Sequence, residues 1–111
     1  MARVVVQRGD VWWVALDPTV GTEMQKSRPA IVVSNASANQ FGLRVVVVPV
    51  TSNVARMFPG NAAVTVDGRP GRAVGDQMRA VDKQRLLRRI GSLSADDLRA
   101  VEAALRLTLD L

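Results

Sequence analysis

The segment LRVVVVPVT, residues 43–51, constrains this chain more than any other. Its valines form a nearly unbroken β-branched run. Such side chains lose χ1 freedom in a helix and pack well on a pleated surface. The run therefore reads as a long apolar strand. Pro49 lies inside it, and a central strand disfavours a residue that lacks an N–H. A bulge or a sheet edge is expected at Pro49.

The rest of the pattern supplies partners for that strand. Residues 11–17 (VWWVALD) and 30–34 (AIVVS) read as strands, with Pro29 suited to the first position of the second. Residues 62–67 (AAVTVD) and 73–81 (AVGDQMRAV) flank DGRPG, a hairpin-turn signal. Residues 86–93 (LLRRIGSL) read as a final strand, after a short helical turn capped near Asp82. Polar, Pro- and Gly-punctuated loops are expected over 18–27 and 52–61, and a connector rich in Asn, Ser and Ala over 35–42. One clear helix closes the chain. Ser94 is its N-cap, with Asp97 at capping-box spacing, and Leu98, Val101, Leu105 and Leu109 form a stripe that packs on the sheet. Six short strands and a C-terminal helix predict a small, mainly antiparallel barrel or half-barrel.

The 111 residues suit one domain, spanning 1–111. Folding at this size buries roughly two-thirds of the surface the unfolded chain exposes. Cysteine is absent, so no disulfide is available and a cytoplasmic compartment is permitted. The amino-terminal MARVVVQRGD has an apolar part too short for a secretory signal. No apolar run approaches the ~18 residues that cross a bilayer. A soluble intracellular protein without membrane attachment is expected.

The net charge is +5, from 13 Arg and 2 Lys against 10 acids. Guanidinium binds phosphate in bidentate fashion and stacks on bases, so the charge suits an anionic partner, nucleic acid or an acidic peptide, and equally a soluble protein with a merely charged surface. Histidine is also absent, which excludes His-based acid–base catalysis and His metal sites. The acids are scattered apart from Asp96 and Asp97. No metal site and no cofactor are expected.

What remains for chemistry lies near three loop–strand junctions: Glu23, Lys26 and Arg28; then Thr51, Ser52 and Asn53; then Asp76, Gln77 and Arg79. One reaction that runs on such a set without a metal is RNA cleavage by its own 2′-hydroxyl. RNA carries its nucleophile, so a protein need only align it with the phosphate, move protons and stabilise charge on phosphorus. Arginine supplies the electrostatic clamp, a threonine hydroxyl can hold a non-bridging oxygen, and a carboxylate can take the 2′ proton. Plainer readings stand beside this one. Arg28 can be a surface ion pair with Glu23, Thr51 a strand-end hydroxyl, and Asp76 a turn cap. Trp12 and Trp13 point to opposite faces of a strand, so one belongs to the core and the other can meet a base or a partner.

Taken together, RGDVWWVALDPTVGTE (residues 8–23), RPAIVVSN (28–35), VVVVPVTSN (45–53) and RAVDKQRL (79–86) resemble the MazF/PemK/Kid family, the toxins of bacterial toxin–antitoxin pairs. The similarity runs from Arg8 into the C-terminal helix. It implies an SH3-like barrel with small helices that forms a homodimer. It also implies a metal-independent, ribosome-independent endoribonuclease that cuts single-stranded RNA at a short sequence, leaving a 2′,3′-cyclic phosphate and a 5′-hydroxyl. The implied inhibitor is a MazE-like cognate antitoxin whose flexible acidic tail blocks the RNA groove.

The arginine before proline that the resemblance makes catalytic is Arg28, and the threonine ending the third strand is Thr51. Glu23 on the 18–27 loop, Lys26, Ser52, Asp76, Gln77 and Arg85 are implied to bind substrate. The Kid branch carries an Arg-x-Asp pair near the fifth strand. Here that segment is Val74-Gly75-Asp76, with the arginine missing, which weights the reading toward Arg28 and Thr51. Some relatives have histidine before the Arg-Pro pair; here it is Ser27. Two rivals remain. One is a non-enzymatic gyrase poison like CcdB, against which the TLDL ending speaks, since it lacks Trp-Gly-Ile. The other is a degenerate member that only binds nucleic acid.

Overall fold

A computed structural model describes residues 5–111; the first four residues of the amino-terminal segment read above for a signal lie outside the described residues. In chain order the elements are β1 (Asp10–Ala15), β2 (Ser27–Val32), α1 (Ala36–Phe41), β3 (Arg44–Thr51), β4 (Asn61–Val66), β5 (Arg69–Val74), β6 (Arg79–Asp82), β7 (Leu86–Ser92) and α2 (Ala95–Leu109). Single 3-10 turns, Gly75–Gln77 and Lys83–Arg85, flank β6. The strands form one curled antiparallel sheet in the order β4-β5-β3-β2-β1-β7, with β6 beside β3. This is the mainly β half-barrel with a C-terminal helix that the sequence predicts.

The valine run is the centre of that sheet, and Pro49 departs from expectation. It lies at neither an edge nor a bulge, but opposite Ala30 in the β2–β3 ladder and fully buried. The other side of β3 explains this. There β6 pairs only as far as Val47 and β5 pairs only from Val50. Val46 exchanges its ladder bond with β2, through its carbonyl and the Val33 N–H at 2.9 Å. Alternation along the strand then turns the nitrogen of Pro49 toward the gap between β6 and β5, where no ladder bond is lost.

Burial on both faces accounts for the continuous apolar runs. One face packs Trp12, Val14, Leu16, Val32, Val45, Val47 and Val81. The other packs Val11, Ile31, Val48, Val50, Ala62, Val64 and Ala73 against Val101 and Ala104 of α2. Buried Asp10 is satisfied: it accepts from the Gln7 N–H at 2.9 Å and the Trp12 indole at 3.4 Å, and it pairs with Arg89 at 3.3 Å.

Three local readings are revised. The 73–81 segment is not one strand, because a 3-10 turn at Gly75–Gln77 splits it into the end of β5 and β6. The sheet therefore has seven strands rather than six. The hairpin turn is the dipeptide Asp67-Gly68, with φ of 51° and 75°, so β5 already begins at Arg69. Both values are left-handed, the conformation a two-residue hairpin demands. The 35–42 connector holds a helix, because the Asn35 side chain accepts from the Ala38 N–H at 2.9 Å and starts it.

Ser94 caps α2 as predicted, its Oγ accepting from the Asp97 N–H at 3.1 Å. The Asp97 carboxylate docks the helix on β4, accepting from the Thr65 N–H at 2.8 Å. The apolar stripe holds at Leu98, Val101 and Leu105 and runs out before Leu109, which is 48% exposed.

Candidate active site

The sheet face that carries α2 is not covered along its whole length. Past the helix it opens into a groove of about 450 Å³. Its floor is apolar: Trp13, Pro29, Val50, Val66 and Pro70. Gly71 keeps the floor low, since a Cβ there would stand 2.7 Å from Val50 Cγ1. The rim carries Lys26, Arg28 and Arg69, together with Thr51 and Ser52, and no carboxylate lines the groove. Three cations over an apolar floor favour a ligand that is both anionic and stackable.

The strands place these groups. Pro29 sits opposite Trp13 in the β1–β2 ladder, and Arg28 opposite Val14, so the start of β2 is fixed against β1. Lys26 adopts a left-handed φ of 66° at the end of the preceding loop, and its carbonyl accepts from the Leu16 N–H at 2.9 Å. Arg28 Nε donates to the Gln25 carbonyl at 3.1 Å, which anchors the side chain. No ion pair among the described residues includes Arg28. The pairing with Glu23 is thus not formed, and Glu23 instead accepts from the Val20 N–H at 2.5 Å. The rim charge of Arg28 stays available.

Thr51 ends β3, and its Oγ1 accepts from the Asn53 N–H at 3.2 Å. Arg72 lies opposite it on β5. The Arg72 guanidinium donates to the Asn53 carbonyl and to Asn61 Oδ1, both at 3.0 Å, and sits 5.6 Å over the Phe58 ring. The loop after Thr51 is thereby held at both ends.

The remaining predicted residues lie elsewhere. Glu23, Asp76 and Gln77 line a second hollow of about 160 Å³ with Met24, Pro49 and Arg79. Gln77 Oε1 accepts from the Met24 N–H at 3.3 Å and ties the loop to the turn before β6. Residues 23–26 contribute to both hollows, Glu23 and Met24 to one, Gln25 and Lys26 to the other. Arg85 lines neither. Its guanidinium donates to the Ala15 carbonyl at 3.1 Å and to the Asp17 carbonyl, and Arg79 donates to the Leu16 carbonyl at 3.0 Å, so these two arginines brace the end of β1. Arg69 and Gly71 belong to the groove but stood out only as parts of the DGRPG turn; a cation beside a hairpin turn was the available signal. Trp13, half-buried, is the more accessible of the tryptophan pair and lines the groove, and Trp12 is the buried one.

The architecture is that of the MazF toxins. A MazF crystal structure from Deinococcus radiodurans (Form-I) superposes with a TM-score of 0.87 at 27% identity, covering 98% of this chain and 100% of that one. The MazE–MazF structure (Form-III) from the same organism superposes with a TM-score of 0.75 at 25% identity, covering 96% and 98%. The chain belongs to the family described as PemK-like, MazF-like toxin of type II toxin-antitoxin system, whose model matches residues 7–109. Endoribonuclease MazF9 of Mycobacterium tuberculosis is 41% identical over 116 residues, covering 96% of this chain and 98% of its own length. No helix among the described residues is long and apolar enough to cross a membrane.

Proposed function

We propose that this toxin is an endoribonuclease that cuts single-stranded RNA at a short sequence, without a metal or the ribosome. The observation that carries the reading is the shared groove. Arg28 and Thr51 come from different strands, yet they line one cation-rimmed hollow free of carboxylates. In the reaction the 2′-oxygen attacks phosphorus, the bond from phosphorus to the 5′-oxygen breaks, and a 2′,3′-cyclic phosphate and a 5′-hydroxyl result. Arg28 neutralises the charge that grows on the phosphoryl oxygens, and the Thr51 hydroxyl donates to a non-bridging oxygen. Glu23, carried toward the groove when the 18–26 loop closes over RNA, takes the proton from the 2′-hydroxyl, and the departing 5′-oxygen takes its proton from solvent.

The same groove suits the acidic tail of a cognate MazE-like antitoxin, which mimics the polyanion it displaces. That the related Deinococcus toxin crystallises as MazE–MazF supports this partner. The family resemblance further supports a homodimer acting in the cytoplasm.

The test is cleavage of a long single-stranded RNA in EDTA by the purified chain beside Arg28→Ala, with both new ends mapped. Sequence-specific cuts ending in cyclic phosphate and 5′-hydroxyl, absent in the variant, are expected. A folded Arg28→Ala that cuts normally sinks the mechanism. No cutting of a diverse RNA sinks the enzyme reading, and inhibition of gyrase supercoiling by the same preparation replaces it.

A further inference from the structure

The groove holds a large aromatic side chain that phosphate chemistry does not need. Trp13 is half-buried on β1, between Pro29 of β2 on one side and Arg88 of β7 on the other. The two tryptophans differ in kind. The Trp12 indole N–H is spent on buried Asp10 at 3.4 Å. That of Trp13 has no hydrogen-bond partner among the described residues, and no buried polar side-chain atom there is left unsatisfied, so the Trp13 N–H opens to solvent. A core tryptophan would close over its neighbours; this one forms part of the floor of an open hollow ringed by Lys26, Arg28 and Arg69.

We infer that Trp13 is the stacking platform for one nucleobase of the bound strand, with Arg69 and Lys26 taking the flanking phosphates. The inference rests on the RNA reading of this groove and adds the part of the nucleotide that Arg28 and Thr51 do not address. A base is planar and apolar on its faces, which matches the indole and Pro29. Its sugar–phosphate is anionic, which matches the rim. Stacking on an aromatic side chain tolerates any base, because each has a π-face. The platform therefore supplies affinity and register, while sequence choice lies in other contacts.

The probe is a short 2′-O-methyl oligoribonucleotide of mixed sequence, which lacks the attacking hydroxyl and cannot be cut. Its abasic counterpart keeps the phosphates without bases. With the intact protein the base-bearing strand is expected to quench tryptophan emission saturably. Trp12, buried and bonded to Asp10, provides the unquenched background. Trp13→Phe should abolish the quench yet keep affinity within a few-fold, since the smaller ring still stacks. Trp13→Ala should weaken binding about 5- to 100-fold, and the abasic strand should bind with no quench. Equal affinity of Trp13→Ala and the parent protein, or an unchanged quench in Trp13→Phe, overturns the platform. The readout needs no cleavage, so the two readings fail separately. A chain that quenches but never cuts RNA keeps the platform and loses the enzyme. A chain that cuts RNA with an unaltered KM in Trp13→Ala loses the platform and keeps the enzyme.

Discussion

Arg72 faces Thr51 across the β3–β5 ladder and holds the loop that leaves Thr51. Its guanidinium bonds the Asn53 carbonyl and Asn61 Oδ1 and stacks over Phe58, while Asn53 returns its N–H to Thr51 Oγ1. Orientation of the threonine hydroxyl thus depends on a cation outside the groove lining. Removing it leaves two acceptors and one ring without their partner. Arg72→Ala is expected to lower stability by about 1–3 kcal/mol and to lower kcat more than it raises KM. Urea unfolding, hydrogen exchange at the Ala55 and Phe58 amides, and steady-state cleavage measure the three effects. Arg72→Lys, which cannot bond both acceptors in one plane, should recover only part of the loss.

Arg28 makes no ion pair among the described residues, so its removal leaves no carboxylate uncompensated. Arg28→Ala should therefore unfold within about 0.5 kcal/mol of the parent protein while losing about 10²- to 10³-fold in cleavage rate, the range for deleting a donor aimed at developing charge. Thr51→Val keeps the β-branched shape and removes the hydroxyl. A smaller rate loss than that of Arg28→Ala is expected, because a neutral donor is replaced rather than a charge.

Arg69 tests the electrostatics of the rim directly. Each phosphate neutralised on a single strand contributes a slope of about −0.7 to the salt dependence of binding. Arg69→Ala should weaken binding of a single strand and make that slope shallower by about one such unit, measured by titration at several salt concentrations. A loss of affinity with an unchanged slope would place Arg69 off the phosphate path.

Two bonds meet in the first turn of α2, one capping the helix and one joining it to the sheet. Ser94 Oγ accepts from the Asp97 N–H, and the Asp97 carboxylate accepts from the Thr65 N–H. Ser94→Ala should cost about 1 kcal/mol through loss of the cap. Asp97→Ala should cost about 1–2 kcal/mol, because it frees a β4 amide and removes a favourable charge at the helix start. Thermal unfolding of both variants and the double variant would also reveal their coupling, which is expected to be non-additive because the residues share one turn.

Local chemistry made several elements readable in advance. β-branched runs have few ways to pack, so β1, the core of β2 and β3 stood out. Ser94 with Asp97 announced the last helix, and DGRPG announced a hairpin turn at the right place, though Arg69 and Pro70 belong to β5. The misreadings share a cause. Pro49 by itself points to a bulge or an edge, because a single strand does not show what lies beside it, and only the gap between β6 and β5 makes a buried proline harmless. The 73–81 run looked continuous because a single 3-10 turn leaves no periodic trace in three residues. The helix after Asn35 was hidden in a polar connector by its brevity, since six residues span less than two turns.

For the site, residue types and a family resemblance already pointed to Arg28 and Thr51. Their assembly with Lys26, Trp13 and Arg69 into one groove, and the separation of Glu23, Asp76 and Gln77 into another hollow, followed from strand register together with the path of the 18–26 loop and the Gly75–Gln77 turn. Arg85 shows the limit plainly: a cation in a promising motif is turned inward to the carbonyls of Ala15 and Asp17 by the path of the chain around it. The sequence by itself determined which segments must be buried, because apolar periodicity is a local property. Which face of the sheet stays open, and which charges meet there, was decided only by the tertiary structure, because α2 covers part of that face and the strand register chooses what stands on the remainder.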